Sequence, residues 1–335
     1  MKTIIPDETF FQGAISFERG EDYIRPWRLP FDELALHAPD GDLPDKAGRS
    51  AGVRLRFQTN SPVIELEAHL NNMGALPIMD LVCDNEILVS QGPSGDSDIY
   101  RFAGLEPSSH VYEIYLPVQA YSYVKALRVA DDASLEIVAD ERVRWLTYGS
   151  SITHCGGSKS PARSWPATAA RALNLNLTCL GYSGNCHLEP MVARVIANQP
   201  MDIITLKLGI NIYGGSTLGK RTFRHNIIGF VKTIRDQHPD APIGLITPIY
   251  AAERETTNNA AGMTLEDYRE ELRSVHEVLT SFNDEKLFLF EGRDLLWEAD
   301  ADLLPDNLHP NGKGYQLMGQ RAAEKILPVL LAARA

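Results

Sequence analysis

The residues best suited to catalysis stand in four short polar motifs in the second half of the chain. The motifs are Gly149-Ser150-Ser151, Gly181-Tyr182-Ser183-Gly184-Asn185, Gly209-Ile210-Asn211 and Asp306-Asn307-Leu308-His309-Pro310. A serine hydroxyl becomes a strong nucleophile when a neighbouring imidazole removes its proton, and a carboxylate can hold that imidazole in the right tautomer. The three-residue step from Asp306 to His309 can place both side chains on one face of a turn. The motifs therefore predict nucleophilic chemistry at a serine.

Two further residues could stabilise the negative charge that develops when a carbonyl group is attacked. Gly184 has no side chain, so its N–H can approach an oxyanion closely. Asn211 can add a side-chain amide donor, and one such donor is worth about 10²–10³ in rate in a serine hydrolase. Taken singly, the serines could be helix caps, Asn211 and His309 turn residues, and Asp306 an acid at a helix start. Their joint occurrence favours catalysis.

The elements around these motifs alternate between strands and helices. Strands are predicted at 143–148, 175–180, 202–208, 243–249 and 286–290, and helices begin at 164, 189, 222, 264 and 312. This alternation predicts an α/β fold with a parallel sheet covered on both faces. Ligands of such sheets bind at the carboxyl ends of the strands, where the four motifs lie. The stretch 251–263 is predicted to be either a mobile lid beside the site or a loop without function.

The first 140 residues carry a different pattern, that of short strands. Alternating or β-branched runs occur at 51–60, 62–70, 78–89, 110–118 and 124–138, with turn residues between them. Such runs predict an antiparallel β-sandwich or jelly roll. The stretch 29–49, which is rich in Pro, Gly and Asp, is predicted to be a long loop.

The change of pattern near residues 139–142 divides the chain into two predicted domains, 1–140 and 143–335. The first 140 residues contain 23 Asp and Glu against 11 Lys and Arg, whereas the rest contains 21 of each. No Gly/Ser tether separates the two. We therefore expect a rigid dock in which a sandwich loop, at 71–76 or 91–98, forms one wall of the substrate cleft. A distal sugar-binding or purely structural module is the alternative.

Composition excludes several classes of protein. The chain has 335 residues, of which 44% are hydrophobic and 23% charged, as expected for a folded globular protein. The net charge of −12 argues against a nucleic-acid partner. No apolar stretch reaches the roughly 18 residues of a membrane span. The N-terminal residues do not resemble a signal peptide, and four cysteines make no disulfide framework, so reduced thiols and a cytoplasmic protein are expected.

Over residues 143–330 the four motifs resemble the sequence blocks of the SGNH (GDSL-type) hydrolases. The matching residues are Ser151, Gly184, Asn211 and His309, with Asp306 three residues before the histidine. The resemblance implies a three-layer α/β/α, flavodoxin-like domain, here preceded by an all-β sandwich as in some carbohydrate esterases and acyltransferases. It further implies a triad of Ser151, His309 and Asp306 and no metal or cofactor. The oxyanion hole would comprise the N–H groups of Ser151 and Gly184 and the Asn211 amide.

Two positions depart from the usual pattern of that family. Ser150 stands where the first block has Asp, and Ile212 stands where the third block has Asp. We take Ser151 as the nucleophile because it aligns with the serine of the family. Neither departure removes a residue of the triad or of the oxyanion hole, and both are compatible with a subgroup that uses a different acyl group or acceptor.

The predicted function is that of a serine esterase that acts on short acyl esters, including acetyl groups on carbohydrates, through an acyl-enzyme. The first alternative is an acyltransferase that uses the same triad to acylate an alcohol. The second is a binding protein with a lapsed active site. The expected partner is a small-molecule or carbohydrate acyl ester, and the sequence leaves the oligomeric state open.

Two other chemistries are less favoured by the sequence. The dipeptides at 154–155 and 186–187 supply two His and two Cys, but adjacent ligands lack the spacing of structural zinc sites. Small buried thiols are expected there instead. Glu253, Glu255 and Glu266 could suggest a glycosidase pair, but a solvated surface is the favoured interpretation.

Overall fold

The computed structural model describes residues 1–37, 42–72, 77–95 and 97–334. Within these ranges the first part of the chain forms two antiparallel sheets. Its strands are β1 (Lys2–Ile4), β2 (Phe11–Gln12), β3 (Ser16–Arg19), β4 (Ile24–Trp27), β5 (Arg54–Thr59), β6 (Val63–Asn72), β7 (Met79–Cys83), β8 (Glu86–Gln91), β9 (Ile99–Ala103), β10 (His110–Tyr115), β11 (Ala120–Val129) and β12 (Leu135–Glu136). One sheet has the order β3-β4-β11-β6-β9, with β1 beside β11, and the other has the order β12-β5-β10-β7-β8, with β2 beside β5.

The core of the first part lies between these two sheets. Leu55 and Phe57 of β5 are fully buried, as are Leu66 of β6 and Leu127 of β11, which lie opposite each other in register. Because alternate residues of a strand point to the same face, the alternating runs in the sequence bury one face of each sheet. The predicted β-sandwich is confirmed.

The prediction of a loop over 29–49 is wrong in part. This stretch contains a 3-10 helix, Phe31–Leu36, and the helix α1 (Leu43–Ala47). The helix α1 forms because Pro44 suits its first turn and because both of its terminal residues are buried in the hydrophobic cluster of the second part. Burial against another part of the chain outweighs the turn-forming composition of the segment.

The second part is a three-layer α/β/α unit. Its strands are β13 (Arg144–Gly149), β14 (Asn176–Gly181), β15 (Ile203–Lys207), β16 (Ile243–Ile246) and β17 (Leu287–Phe290). They pair in parallel in the order β14-β13-β15-β16-β17. The helices are α2 (Ser151–His154), α3 (Trp165–Ala172), α4 (Pro190–Ala197), α5 (Ile210–Gly215), α6 (Lys220–Arg235), α7 (Leu265–Ser281), α8 (Gly312–Lys325) and α9 (Leu327–Ala333). The predicted α/β fold is confirmed.

Local sequence explains where the longer helices lie. The helix α6 buries an apolar stripe at helical spacing: Phe223, Ile227, Phe230, Val231 and Ile234. The helix α7 begins at a capping box, in which the Asp267 N–H donates to Thr264 Oγ1 (3.1 Å) and the Thr264 N–H donates to the Asp267 carboxylate (2.7 Å).

In the described ranges, no helix combines the length and apolarity that crossing a membrane requires.

The hydrophobic core of the second part extends into the first part. Trp27, Leu29 and Leu43 of the first part belong to the same buried cluster as the centre of the α/β unit. Of the loops predicted to form a cleft wall, residues 73–76 and 96 lie outside the described residues. The domain boundary near 139–142 stays a prediction.

Candidate active site

The end of β13 and the start of α2 present two adjacent serines in different ways. Ser150 is buried, and its Oγ accepts a hydrogen bond from the N–H of Ile152 (3.2 Å), so it caps α2. Ser151 is only half-buried, and its Oγ lies 2.8 Å from Nε2 of His309. The hydroxyl of Ser150 is therefore occupied by the cap, whereas the hydroxyl of Ser151 meets an imidazole.

The turn before α8 supplies that imidazole together with a carboxylate. His309 Nδ1 lies 2.7 Å from Asp306 Oδ2. The backbone N–H groups of His309 (2.6 Å) and Leu308 (3.1 Å) both donate to Asp306 Oδ1. Partial burial raises the pKa of the Asp306 carboxyl, but these hydrogen bonds outweigh it and hold the pKa below its ordinary value. An ionised carboxylate facing Nδ1 keeps the proton on that nitrogen and leaves Nε2 to accept from Ser151.

Gly184 lies on the loop that follows β14, and Asn211 lies in the first turn of α5, which follows β15. The strands β14 and β15 are the neighbours of β13 on either side, so the segments that follow them border the start of α2. Gly184 has a φ of +75°, which favours glycine, and a Cβ there would meet no atom within 4 Å. The Oδ1 of Asn211 accepts from the N–H of Cys186 (3.1 Å), which leaves Nδ2 as the end of the amide that can donate to a ligand. All five predicted site residues thus lie at the carboxyl edge of the sheet.

Comparison with known proteins identifies the family. Residues 143–330 match the GDSL-like lipase/acylhydrolase family. The chain belongs to this family. Residues 9–84 match a second family, described as the N-terminal domain of SsfX3. The predicted resemblance to the SGNH (GDSL-type) hydrolases is confirmed, and no curated protein matches the chain.

Solved structures resemble this GDSL-family chain over both of its parts. The salicylyl-acyltransferase SsfX3 from a tetracycline biosynthetic pathway is 27% identical, with a TM-score of 0.91 over 100% of this chain and 99% of that one. A protein from Bacteroides ovatus described as a GDSL-like lipase is 23% identical, with a TM-score of 0.79 over 99% and 97%. A family two carbohydrate esterase from Clostridium thermocellum, in complex with cellohexaose, is 14% identical, with a TM-score of 0.69 over 95% and 98%. The last two likenesses concern the fold.

The side chains at 154–155 and 186, which could suggest a zinc site, are buried or have other contacts in this GDSL-family chain. The ring of His154 lies between the carbonyl oxygens of Gly181 (2.9 Å) and Val118 (2.8 Å). Burial raises the pKa of the Cys155 and Cys186 thiols, which disfavours the thiolate that binds metals. Within the described ranges, the group of three side chains that could hold a metal lies in the sandwich: Cys83, Asp84 and His110.

Two of the glutamates that could suggest a glycosidase pair form ion pairs with arginines. Glu255 and Glu266 both pair with Arg269 and with Arg293. Burial raises the pKa of both carboxyls, but the arginines outweigh it and lower the pKa of each. A glycosidase acid needs a raised pKa, so this arrangement favours a structural role for the pair.

A 3-10 helix, Ala252–Arg254, braces the turn that follows Asp306. Arg254 Nη1 donates to the carbonyl oxygen of Asn307 (3.3 Å), and Asn307 Nδ2 donates to Glu253 Oε1 (3.2 Å). Asn307 itself adopts a left-handed conformation, with a φ of +58°. This part of the stretch 251–263 therefore supports the shape of the triad turn.

Two polar residues near the site were missed by the sequence analysis. The carboxylate of Asp42 accepts a hydrogen bond from Nδ2 of Asn185, beside Gly184. Lys207, at the end of β15, is 1% exposed, its Nζ has no partner among the described residues, and burial lowers its pKa to about 8. The position of Lys207 within the largely apolar run 202–208 could have indicated that its charge is buried. No local signal marked Asp42, whose partner lies 143 residues away.

Proposed function

We propose that the chain is a serine esterase that hydrolyses short acyl esters through Ser151, His309 and Asp306. The observation that carries the proposal is the relay of two hydrogen bonds, 2.8 Å from Ser151 Oγ to His309 Nε2 and 2.7 Å from His309 Nδ1 to Asp306 Oδ2. A serine acquires nucleophilic power from this arrangement. Membership of the GDSL-like family supports acyl transfer from an ester to water or to another acceptor.

The first half of the reaction forms an acyl-enzyme. Ser151 Oγ attacks the carbonyl carbon of the ester while His309 Nε2 takes the hydroxyl proton, and Asp306 stabilises the imidazolium that results. The N–H groups of Ser151 and Gly184 and the Nδ2 of Asn211 donate to the oxyanion of the tetrahedral intermediate. When this intermediate collapses, the C–O bond to the alcohol breaks and His309 returns its proton to the leaving oxygen.

The second half releases the acyl group. A water molecule attacks the acyl-serine carbonyl while His309 Nε2 takes one of its protons. The second tetrahedral intermediate uses the same oxyanion donors. Its collapse breaks the bond to Ser151 Oγ, which recovers the proton from His309, and the carboxylic acid leaves.

A carbohydrate is the alcohol that we favour. A cavity of about 410 Å³ lies beside the 3-10 helix Ala252–Arg254, which contacts the turn at Asn307. Two aromatic rings, two carboxylates and a guanidinium line it: Tyr250, Trp297, Glu255, Glu298 and Arg293, together with Ala252. Trp297 is 53% exposed, so a ligand in the cavity can contact it. A sugar ring can stack its C–H face on an indole while its hydroxyls bond to charged groups. The carbohydrate esterase of the same fold supports this choice by analogy only.

A second candidate function is acyl transfer to an alcohol acceptor. The likeness to the salicylyl-acyltransferase SsfX3 extends over the whole chain and both of its parts. In that reaction the acceptor hydroxyl takes the place of water in the second half, with His309 again as the base. The acceptor must then outcompete water at the acyl-enzyme.

The test is hydrolysis of p-nitrophenyl esters of increasing acyl length and of acetylated sugars, with and without sugar or aromatic alcohol acceptors. An esterase releases p-nitrophenol and free acid, fastest for acetate, and its rate is unchanged by EDTA. An acyltransferase diverts the acyl group to the acceptor. Trp297→Ala should raise the KM for acetylated sugars and leave that for p-nitrophenyl acetate unchanged. A folded protein that is inert on every ester would contradict both candidates and favour a binding role.

A further inference from the structure

A buried arginine of the N-terminal sandwich lies behind the active-site loop. Arg28 follows β4 and has no solvent exposure. Its Nη1 donates to the carbonyl oxygens of Cys179 (3.0 Å) and Gly181 (2.7 Å), at the end of β14. Its Nε donates to the carbonyl oxygen of Arg49 (2.7 Å), and its Nη2 to that of Lys46. One guanidinium therefore joins the segment at α1 to the end of strand β14.

Two of the carbonyl groups that accept from Arg28, those of Cys179 and Gly181, lie at the end of β14, directly before residues 182–185. We call residues 182–185 the oxyanion loop. Gly181 is the last residue of β14. The hydroxyl of Tyr182, the first residue of the loop, donates to the backbone carbonyl oxygen of Arg28. The loop then closes with a hydrogen bond from the N–H of Asn185 to the carbonyl oxygen of Tyr182 (2.8 Å). Arg28 thus contacts both the last residue of β14 and the first residue of the loop.

Only an arginine can make this set of contacts. The guanidinium is a rigid, planar fork with five N–H donors, whereas a lysine ammonium is a single point with three. Loss of the fork leaves each of these buried carbonyl groups with one donor fewer, which is costly in the interior. The strand end would then shift to recover its hydrogen bonds, and the oxyanion loop would shift with it.

We propose that Arg28 is a positioning residue of the active site, through which the N-terminal sandwich sets the path of the oxyanion loop and hence the place of the Gly184 N–H relative to Ser151. The proposal rests on the proposed serine chemistry. It makes the sandwich a part of the catalytic apparatus, because a displacement of about 1 Å in a catalytic group can cost about 100-fold in rate.

The chain provides a matched control for this test. Arg54 is equally buried, belongs to the same sandwich and also donates to β14, but at the opposite end of the strand. Its Nη1 donates to the carbonyl oxygen of Leu177 (2.9 Å) and its Nη2 to Oδ1 of Asn176 (2.8 Å). Arg28→Lys and Arg54→Lys should both lower the melting temperature. Only Arg28→Lys should change catalysis.

The expected results are a loss of about 100-fold in kcat for Arg28→Lys with KM unchanged, and a kcat close to that of the wild type for Arg54→Lys. Tyr182→Phe removes the hydrogen bond from the Tyr182 hydroxyl to the Arg28 carbonyl oxygen and leaves the buried guanidinium in place. This variant replaces Arg28→Lys in the test if Arg28→Lys does not fold. It should lower kcat by about tenfold. Equal kcat losses in the two lysine variants, or an unchanged kcat in Tyr182→Phe, would overturn the proposal.

A second readout does not depend on activity. Hydrogen–deuterium exchange of the amides of residues 182–187 should become about tenfold faster in Arg28→Lys and stay unchanged in Arg54→Lys. Unchanged exchange in both variants overturns the positioning role. A wild-type protein that is inert on every ester would refute the proposed function, and the exchange comparison would still decide the role of Arg28.

Discussion

Replacing Lys207 with methionine should stabilise the protein at neutral pH. Lys207 is 1% exposed, and its Nζ has no hydrogen-bond partner among the described residues. Burial is the main cause that lowers its pKa from the ordinary 10.5 to about 8, and the nearby charge of Arg269 adds to it. Methionine has a side chain of similar length and needs no partner, so it can fill the same space without the cost of the charge.

The size of the effect follows from the two pKa values. A folded pKa of about 8 against 10.5 is a difference of about 2.5 pH units, which at about 1.36 kcal/mol per unit amounts to about 3 kcal/mol. Below pH 8 both the folded and the unfolded state hold the proton, and the full cost of the buried charge is present. Between pH 8 and 10.5 the unfolded state holds more protons, so stability rises with pH. Above pH 10.5 the cost is gone.

The assay is urea unfolding of the wild type and Lys207→Met at pH 7 and pH 10.5. We expect the variant to be more stable by about 3 kcal/mol at pH 7 and nearly equal to the wild type at pH 10.5. Lys232→Met, at an exposed position of α6, is the control and should show no such dependence on pH. A variant that is less stable than the wild type at pH 7 would show that Lys207 has a partner in the folded protein and would refute the reasoning.

The remaining predictions concern catalysis and the sandwich. Ser151→Ala should lower kcat by about 10⁶-fold and leave the melting temperature unchanged. Ser150→Ala should lower the stability by about 1 kcal/mol, because the cap of α2 is lost, and should keep substantial turnover. The opposite pair of results would show that Ser150 is the nucleophile. Asp306→Asn should lower kcat by about 10⁴-fold, because the amide favours the wrong tautomer of His309, and a loss below tenfold would contradict the triad. Residues 143–335 expressed alone should be poorly soluble, because the apolar surface that packs on Trp27 and Leu29 is exposed; a soluble fragment with wild-type kcat/KM would rule out the docked arrangement.

The sequence alone determined the parts of the site that depend on local structure. Asp306 and His309 stand three residues apart, so one turn suffices to join them. Ser151, Gly184 and Asn211 each follow a strand of the parallel sheet, and strand ends in such a sheet meet at one edge whatever the details of packing. The alternation of strands and helices, and the change of pattern near residue 140, were enough for both fold classes.

Only the tertiary structure decided what reaches the site from the first 140 residues. Arg28 binds Gly181 across 153 positions and Asp42 binds Asn185 across 143 positions. These pairings depend on how the sandwich packs against β14, which no local pattern encodes. The same packing turned residues 43–47 into a helix, because their apolar side chains gained burial against the second part. The spacing of apolar residues in the sequence shows which face of a helix or strand is apolar. Which other element packs on that face depends on the free energy of the whole fold.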